Sequence, residues 1–212
     1  MYASMILRAL FSLLLSWLIS MLLGKLYIRR MHTINAYQPI NPDGPVGHLK
    51  DRKETPTAGG IFLLVGISIS VMIFGRLRNP YTYIPLITLW VFAAVGLIDD
   101  VTKLVRRESV GLRTSRKLAL QVLASALILW LVSSNSGLVS SVVTLPWNPA
   151  SSWDIGMWYP MMFLFYMILF VNAVNITDGL DALATGVAFS PILFLTVLAA
   201  LFGTGLHLQH IQ

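Results

Sequence analysis

Apolar residues fall in six long runs separated by short polar stretches, and this alternation organises the chain. A bilayer crossing by an α-helix takes about 20 mainly apolar residues. The runs Met5 to Ile28, Ala58 to Gly75, Tyr81 to Ile98, Leu118 to Ser134, Ile155 to Val171 and Ala182 to Gly203 come close to or meet that length. They predict six transmembrane helices within one membrane domain, residues 1–212, and so an all-α polytopic membrane protein. The polar stretch Ser136 to Asp154 stands apart, because it carries no Lys or Arg and contains Val-Val-Thr-Leu-Pro-Trp-Asn-Pro. It predicts a small external hairpin, with Trp147, Trp153 and Trp158 at headgroup level, where indole rings are favoured.

Composition supports the membrane class. Charged residues make up 11% of the 212 and hydrophobic ones 56%, whereas soluble domains carry about 25% charge. The net charge of +6 does not point to nucleic acid, because the cations sit in short loops between apolar runs. Twelve of the 15 Lys and Arg residues fall at the inner end of run one or in the loops after runs one and three. Arg8, Arg76 and Arg78 lie on the other side. The positive-inside rule then predicts a cytoplasmic face for the first set and an external N-terminus. Cysteine is absent, which excludes disulfides and thiolate chemistry. Arg29 and Arg30 follow the first run where a signal peptide would have small residues, so that run reads as a retained span.

With this threading, two acidic clusters emerge on the cytoplasmic side. Asp99-Asp100 ends the third run, where a helix dipole disfavours anions by roughly 0.3–1 kcal/mol each. Lys103 shares their face if the helix continues, which allows a simple ion pair. It equally suits a Mg²⁺ site, since that ion takes one or two carboxylates with water and substrate phosphates. The second cluster is Asn172-Ala-Val-Asn-Ile-Thr-Asp-Gly-Leu-Asp181. Its plain reading makes Asn172 and Asn175 the end of span five and Thr177 or Asp178 the N-cap of span six, with Asp181 as capping partner. Its functional reading sets Asp178 and Asp181 on one face beside helix N–H groups suited to phosphate. A third piece, His48-Leu-Lys-Asp-Arg-Lys-Glu-Thr-Pro-Thr-Ala-Gly-Gly60, puts cations and a close-approach glycine pair at the mouth of a span. That combination suits a diphosphate, although the cations also serve orientation.

Taken together these segments resemble a known family. Gly44-Pro-Val-Gly-His48, Thr55-Pro-Thr-Ala-Gly-Gly60, Gly96-Leu-Ile-Asp-Asp100 with Lys103, Gly111 to Gln121 and Asn172 to Asp181 occur in the order found in bacterial phospho-N-acetylmuramoyl-pentapeptide transferases. The resemblance implies a multi-pass enzyme of the bacterial inner membrane with a cytoplasmic site. It implies transfer of phospho-MurNAc-pentapeptide from UDP-MurNAc-pentapeptide to undecaprenyl phosphate, with Mg²⁺, giving lipid I and UMP. Homodimerisation is implied by the family alone. By position, Asp99 would deprotonate the lipid phosphate, Asp100 would serve the electrostatics or the metal, and Asp178 would join them as a catalytic residue. Lys103 would steady phosphate charge, while Asn172, Asn175 and Asp181 would bind nucleotide and Thr57 would line the pocket. His48 belongs to the substrate-binding loop, and the family lysine there corresponds to Arg52 or Lys53.

Three departures accompany the likeness. The family has about ten spans and this chain six, which implies an N-terminal portion. The family's main metal-contacting carboxylate and its histidine cluster would then lie beyond Gln212. The loop before Thr55 is one residue longer than the usual pattern, and Glu54 stands for a glycine. Ala182 replaces a common glycine. Two alternatives stay open: transfer of another N-acetylhexosamine 1-phosphate to a polyprenyl phosphate, or a non-catalytic lipid-binding or transport protein.

Overall fold

The computed structural model describes residues 2–34, 59–106, 111–135, 138, 140–145, 148–178 and 183–208. Among the described residues, six helices stand where the six apolar runs predicted them: α1 (Tyr2–Thr33), α2 (Gly60–Phe74), α3 (Pro80–Arg106), α4 (Thr114–Ser133), α5 (Trp158–Thr177) and α6 (Leu183–Leu208). Between α4 and α5 lie two strands, β1 (Val142–Leu145) and β2 (Asn148–Asp154). Among the described residues, four helices are long and apolar enough to cross a membrane by length and composition: α1, α3, α4 and α5. The chain is an all-α membrane protein with one small hairpin. At 15 residues, α2 rises only about 22 Å, short of a hydrocarbon core of about 30 Å.

Consecutive helices pack on one another in series: α1 on α2, α2 on α3, α3 on α4, α4 on α5, with a lighter contact of α5 on α6. The first pair is antiparallel. Phe11 stacks on Phe74 near one end, and Tyr27 meets Phe62 near the other. Midway, the backbone of α1 comes so close to Gly66 that a Cβ there would lie 2.9 Å from the Ser16 carbonyl oxygen. Small residues permit such approach where lipid supplies no hydrophobic drive between helices. Arg8 donates to the Phe74 carbonyl oxygen at 2.6 Å, placing a cation on the orphan carbonyls that end α2.

Helix α3 starts as its sequence suggests. Pro80 takes the first helical position and the Asn79 side chain accepts the Tyr81 N–H at 2.9 Å. Its contact with α2 includes a hydrogen bond from the Trp90 indole to the Ser68 hydroxyl, 2.8 Å. Helix α4 is the centre of the assembly. Gln121, Ala124, Ser125 and Ile128 form a single buried stripe, facing α3 and α5.

The expected hairpin is present. β1 and β2 are antiparallel, with Val142 opposite Asp154 and Val143 opposite Trp153, and the register shifts after Thr144. Hydrogen bonds from the Ser141 hydroxyl and the Gly156 N–H hold the Asp154 carboxyl below the usual carboxylate range. Trp153 and Trp158 are exposed, whereas Trp147 lies outside the described residues.

Several boundaries move. α3 runs eight residues past Ile98, because Lys103 neutralises the two carboxylates that would otherwise oppose the helix dipole. α5 continues six residues past Val171, so Asn172 and Asn175 lie within its last turns. Thr177 is the last residue of α5 and Asp178 its C-cap, while the expected capping partner Asp181 lies outside the described residues. The Asp178 N–H bonds to the Val174 carbonyl and so continues the α5 ladder, while the Thr177 hydroxyl donates to the Ala173 carbonyl.

Candidate active site

One end of α3, α4 and α5, together with the start of α2, encloses a cavity of about 480 Å³. α3 contributes Asp99, Asp100 and Lys103, α4 contributes Lys117 and Gln121, and α5 contributes Asn175 and Asp178. Gly59 and Gly60 form the lip from α2, so the backbone there is bare of side chains. Five residues singled out from the sequence thus meet in one place, although they come from segments more than 70 positions apart.

The two aspartates differ in surroundings, because neighbours on a helix point about 100° apart. Asp99 is 6% exposed. Its Oδ1 accepts the Leu112 N–H at 2.8 Å, while Oδ2 lies 2.8 Å from Lys103 Nζ and 3.9 Å from Lys117 Nζ. Asp100 has a side chain 35% exposed and meets Lys103 at 3.1 Å through Oδ1. The expected ion pair is therefore present, and Lys103 bridges both carboxylates. Lys117 also approaches the Asn175 amide oxygen at 3.5 Å. That lysine joins α3, α4 and α5 across the cavity; the sequence placed it in the orientation count and in the Gly111 to Gln121 segment but gave it no role in the site.

Asn172 does not line the cavity. Its amide donates to Gln121 Oε1 at 2.8 Å and to the Ile168 carbonyl, and its oxygen faces Gln121 Nε2 at 3.4 Å. Gln121 is 1% exposed, so this exchange satisfies a carboxamide at membrane depth, where an unpaired one is costly. The only signal for Gln121 in the sequence is its place at the end of the Gly111 to Gln121 segment. His48, Arg52, Lys53, Thr57 and Asp181 lie outside the described residues. So does Gln212, beyond which the family's main metal ligand was expected. The structure therefore bears on the metal through Asp100 and Asp178 alone. Among the described residues, no three His, Cys, Asp or Glu groups gather as a ready-made metal cage.

Residues 82–211 match the model of glycosyl transferase family 4. The chain belongs to that family. The match runs from α3 to the last residues and so takes in every described side chain that gives the cavity its charge. Similarity extends further among individual proteins. The chain is 34% identical over 203 residues to the phospho-N-acetylmuramoyl-pentapeptide-transferase of Moorella thermoacetica, covering 93% of this chain and 61% of that one. The protein of the same name in Clostridium kluyveri is 33% identical over 196 residues, 92% of this chain and 61% of the relative. That of Buchnera aphidicola is 32% identical over 207 residues, 96% and 57% respectively. The chain spans about three fifths of the length of these curated relatives.

Proposed function

We propose that this chain carries the catalytic aspartates and phosphate-binding lysines of an enzyme that transfers phospho-MurNAc-pentapeptide from its UDP carrier to undecaprenyl phosphate. The observation that carries the proposal is the convergence of Asp99, Asp100, Lys103, Lys117, Asn175 and Asp178 on one polar cavity at the end of apolar helices. The names of the similar proteins supply the substrate class.

In this reaction an oxygen of the lipid phosphate attacks the sugar-bearing phosphorus, a new P–O bond forms, and the bond to UMP breaks. Such chemistry depends on positioning and charge stabilisation more than on covalent participation. Lys103 and Lys117 neutralise diphosphate charge as it shifts toward the leaving UMP. A phosphate monoester has its second pKa near about 6, so at neutral pH the acceptor is already largely a dianion. We therefore assign Asp99 a different task from the proton acceptance first expected. Both its oxygens are occupied by donors, and its charge holds the two lysines in place.

The donor set fits Mg²⁺. Asp100 is partly exposed toward the cavity that Asp178 also lines, and two carboxylates with substrate phosphates and water are the usual shell of this ion. When bound, the ion would offset charge on the diphosphate oxygens. Asn175 and Asp178 orient the nucleotide. The six helices as six crossings, the external N-terminus and the cytoplasmic position of the cavity complete the reading, supported by the distribution of Lys and Arg.

The test is UMP release from UDP-MurNAc-pentapeptide by the protein in vesicles holding undecaprenyl phosphate and Mg²⁺. Asp100→Asn and Lys103→Gln should each lower kcat by about 10²-fold, the typical loss on removing one preorganised electrostatic contact. Unchanged turnover in both variants would refute the roles of these two residues. Substrate-dependent ion flux without UMP release would favour a transporter instead.

A further inference from the structure

The segment entering α4 touches the Asp99 carboxylate through backbone alone. Leu112 donates its N–H to Oδ1 at 2.8 Å. Gly111, itself buried, packs so closely that a Cβ would overlap the carboxylate, lying 2.7 Å from Cγ and 2.9 Å from Oδ2. Asp99 in turn faces Lys117, one turn into α4 from its first residues. The contact therefore joins the end of α3 to the start of α4 at the point where each supplies a lysine to the cavity.

We propose that Gly111 and Leu112 form a latch on Asp99, acting as positioning residues that set the spacing between Lys103 and Lys117. The latch needs a residue without a side chain at 111, so that the backbone can reach the carboxylate. It needs a free N–H at 112, and a buried carboxylate requires such a donor. Asp99 is thereby the hub: one oxygen takes the latch and the other faces both lysines. Any side chain at 111 displaces the carboxylate and, through it, the two cations. The inference deepens the transferase reading and rests on it for its kinetic consequence, but the latch itself can be read without turnover.

The test uses the full chain in nanodiscs with three readouts: hydrogen exchange of the Leu112 amide, thermal unfolding, and UMP release. Leu112 should exchange at least tenfold faster in Asp99→Ala and in Gly111→Ala than in the unsubstituted protein. Asp99→Asn keeps an acceptor oxygen and should retain most of the protection. In Gly111→Ala, kcat should fall at least tenfold with KM for the UDP-linked substrate within about twofold, measured at a temperature where the variant remains folded. Gly186→Ala, where a Cβ meets open space, serves as control and should match the parent in all three. Equal Leu112 exchange in the parent and Asp99→Ala would overturn the latch. So would a Gly111→Ala protein with parental kcat, or one whose loss of rate only tracks loss of fold. Absence of turnover in the parent would bear on the transferase reading alone, while the exchange comparison still judges the latch.

Discussion

Asp99 and Asp100 are adjacent in the chain and chemically identical, yet packing gives them different work. A carboxylate at 6% exposure persists as an anion only if donors surround it, and Leu112, Lys103 and Lys117 supply them. Asp100, without the Leu112 contact and a third exposed, stays available to ligands. The same rule governs the amide pair behind the cavity. Gln121 and Asn172 satisfy each other inside an apolar bundle, so removing one partner strands the other. Gln121→Leu should cost about 1–2 kcal/mol of stability, the scale of interhelical hydrogen bonds in membranes. The double variant Gln121→Leu, Asn172→Leu should recover much of that loss. Unfolding in detergent measures both, and a single variant as stable as the parent would show the pair to be dispensable.

Among the helices, the crossing of α1 and α2 is set by absence of bulk. Ser16, Ser20 and Gly66 allow the two backbones to approach, and Phe11–Phe74 and Tyr27–Phe62 close the seam at either end. Gly66→Ala pushes a methyl toward the Ser20 side chain and the Ser16 carbonyl, and overpacking of this kind costs about 1–3 kcal/mol. Unfolding midpoints should fall accordingly, and Ser20→Ala should restore part of the loss by removing the nearest hydroxyl. A Gly66→Ala protein of parental stability would mean that the helices can separate without cost. α3 and α5 show a second element-scale device. Both extend beyond the apolar run that defines them, and it is these polar extensions that carry Asp99, Asp100, Asn172 and Asn175.

At the scale of the molecule, the packing of α3, α4 and α5 side by side brings one end of each to the same level, so that one cavity collects their polar residues. The chain has no native cysteine, so topology can be read with single introduced ones. Arg106→Cys should react with an impermeant thiol reagent only after the cytoplasmic face is opened, and Ser134→Cys without opening. The reverse pattern would invert the orientation and put the cavity outside. Membrane class, six helical segments, the hairpin, the charge asymmetry and the family motifs were all legible in the chain itself. Each depends on local composition or spacing, and a long apolar run in water or lipid has few alternatives to a helix. Three features were not legible: the burial of Asp99 against Leu112, the reach of Lys117 into the cavity, and the pairing of Gln121 with Asn172. These contacts link positions 13, 58 and 51 residues apart. Helices apolar on nearly every side carry no stripe to say which face turns inward, so only their packing decides which polar groups meet.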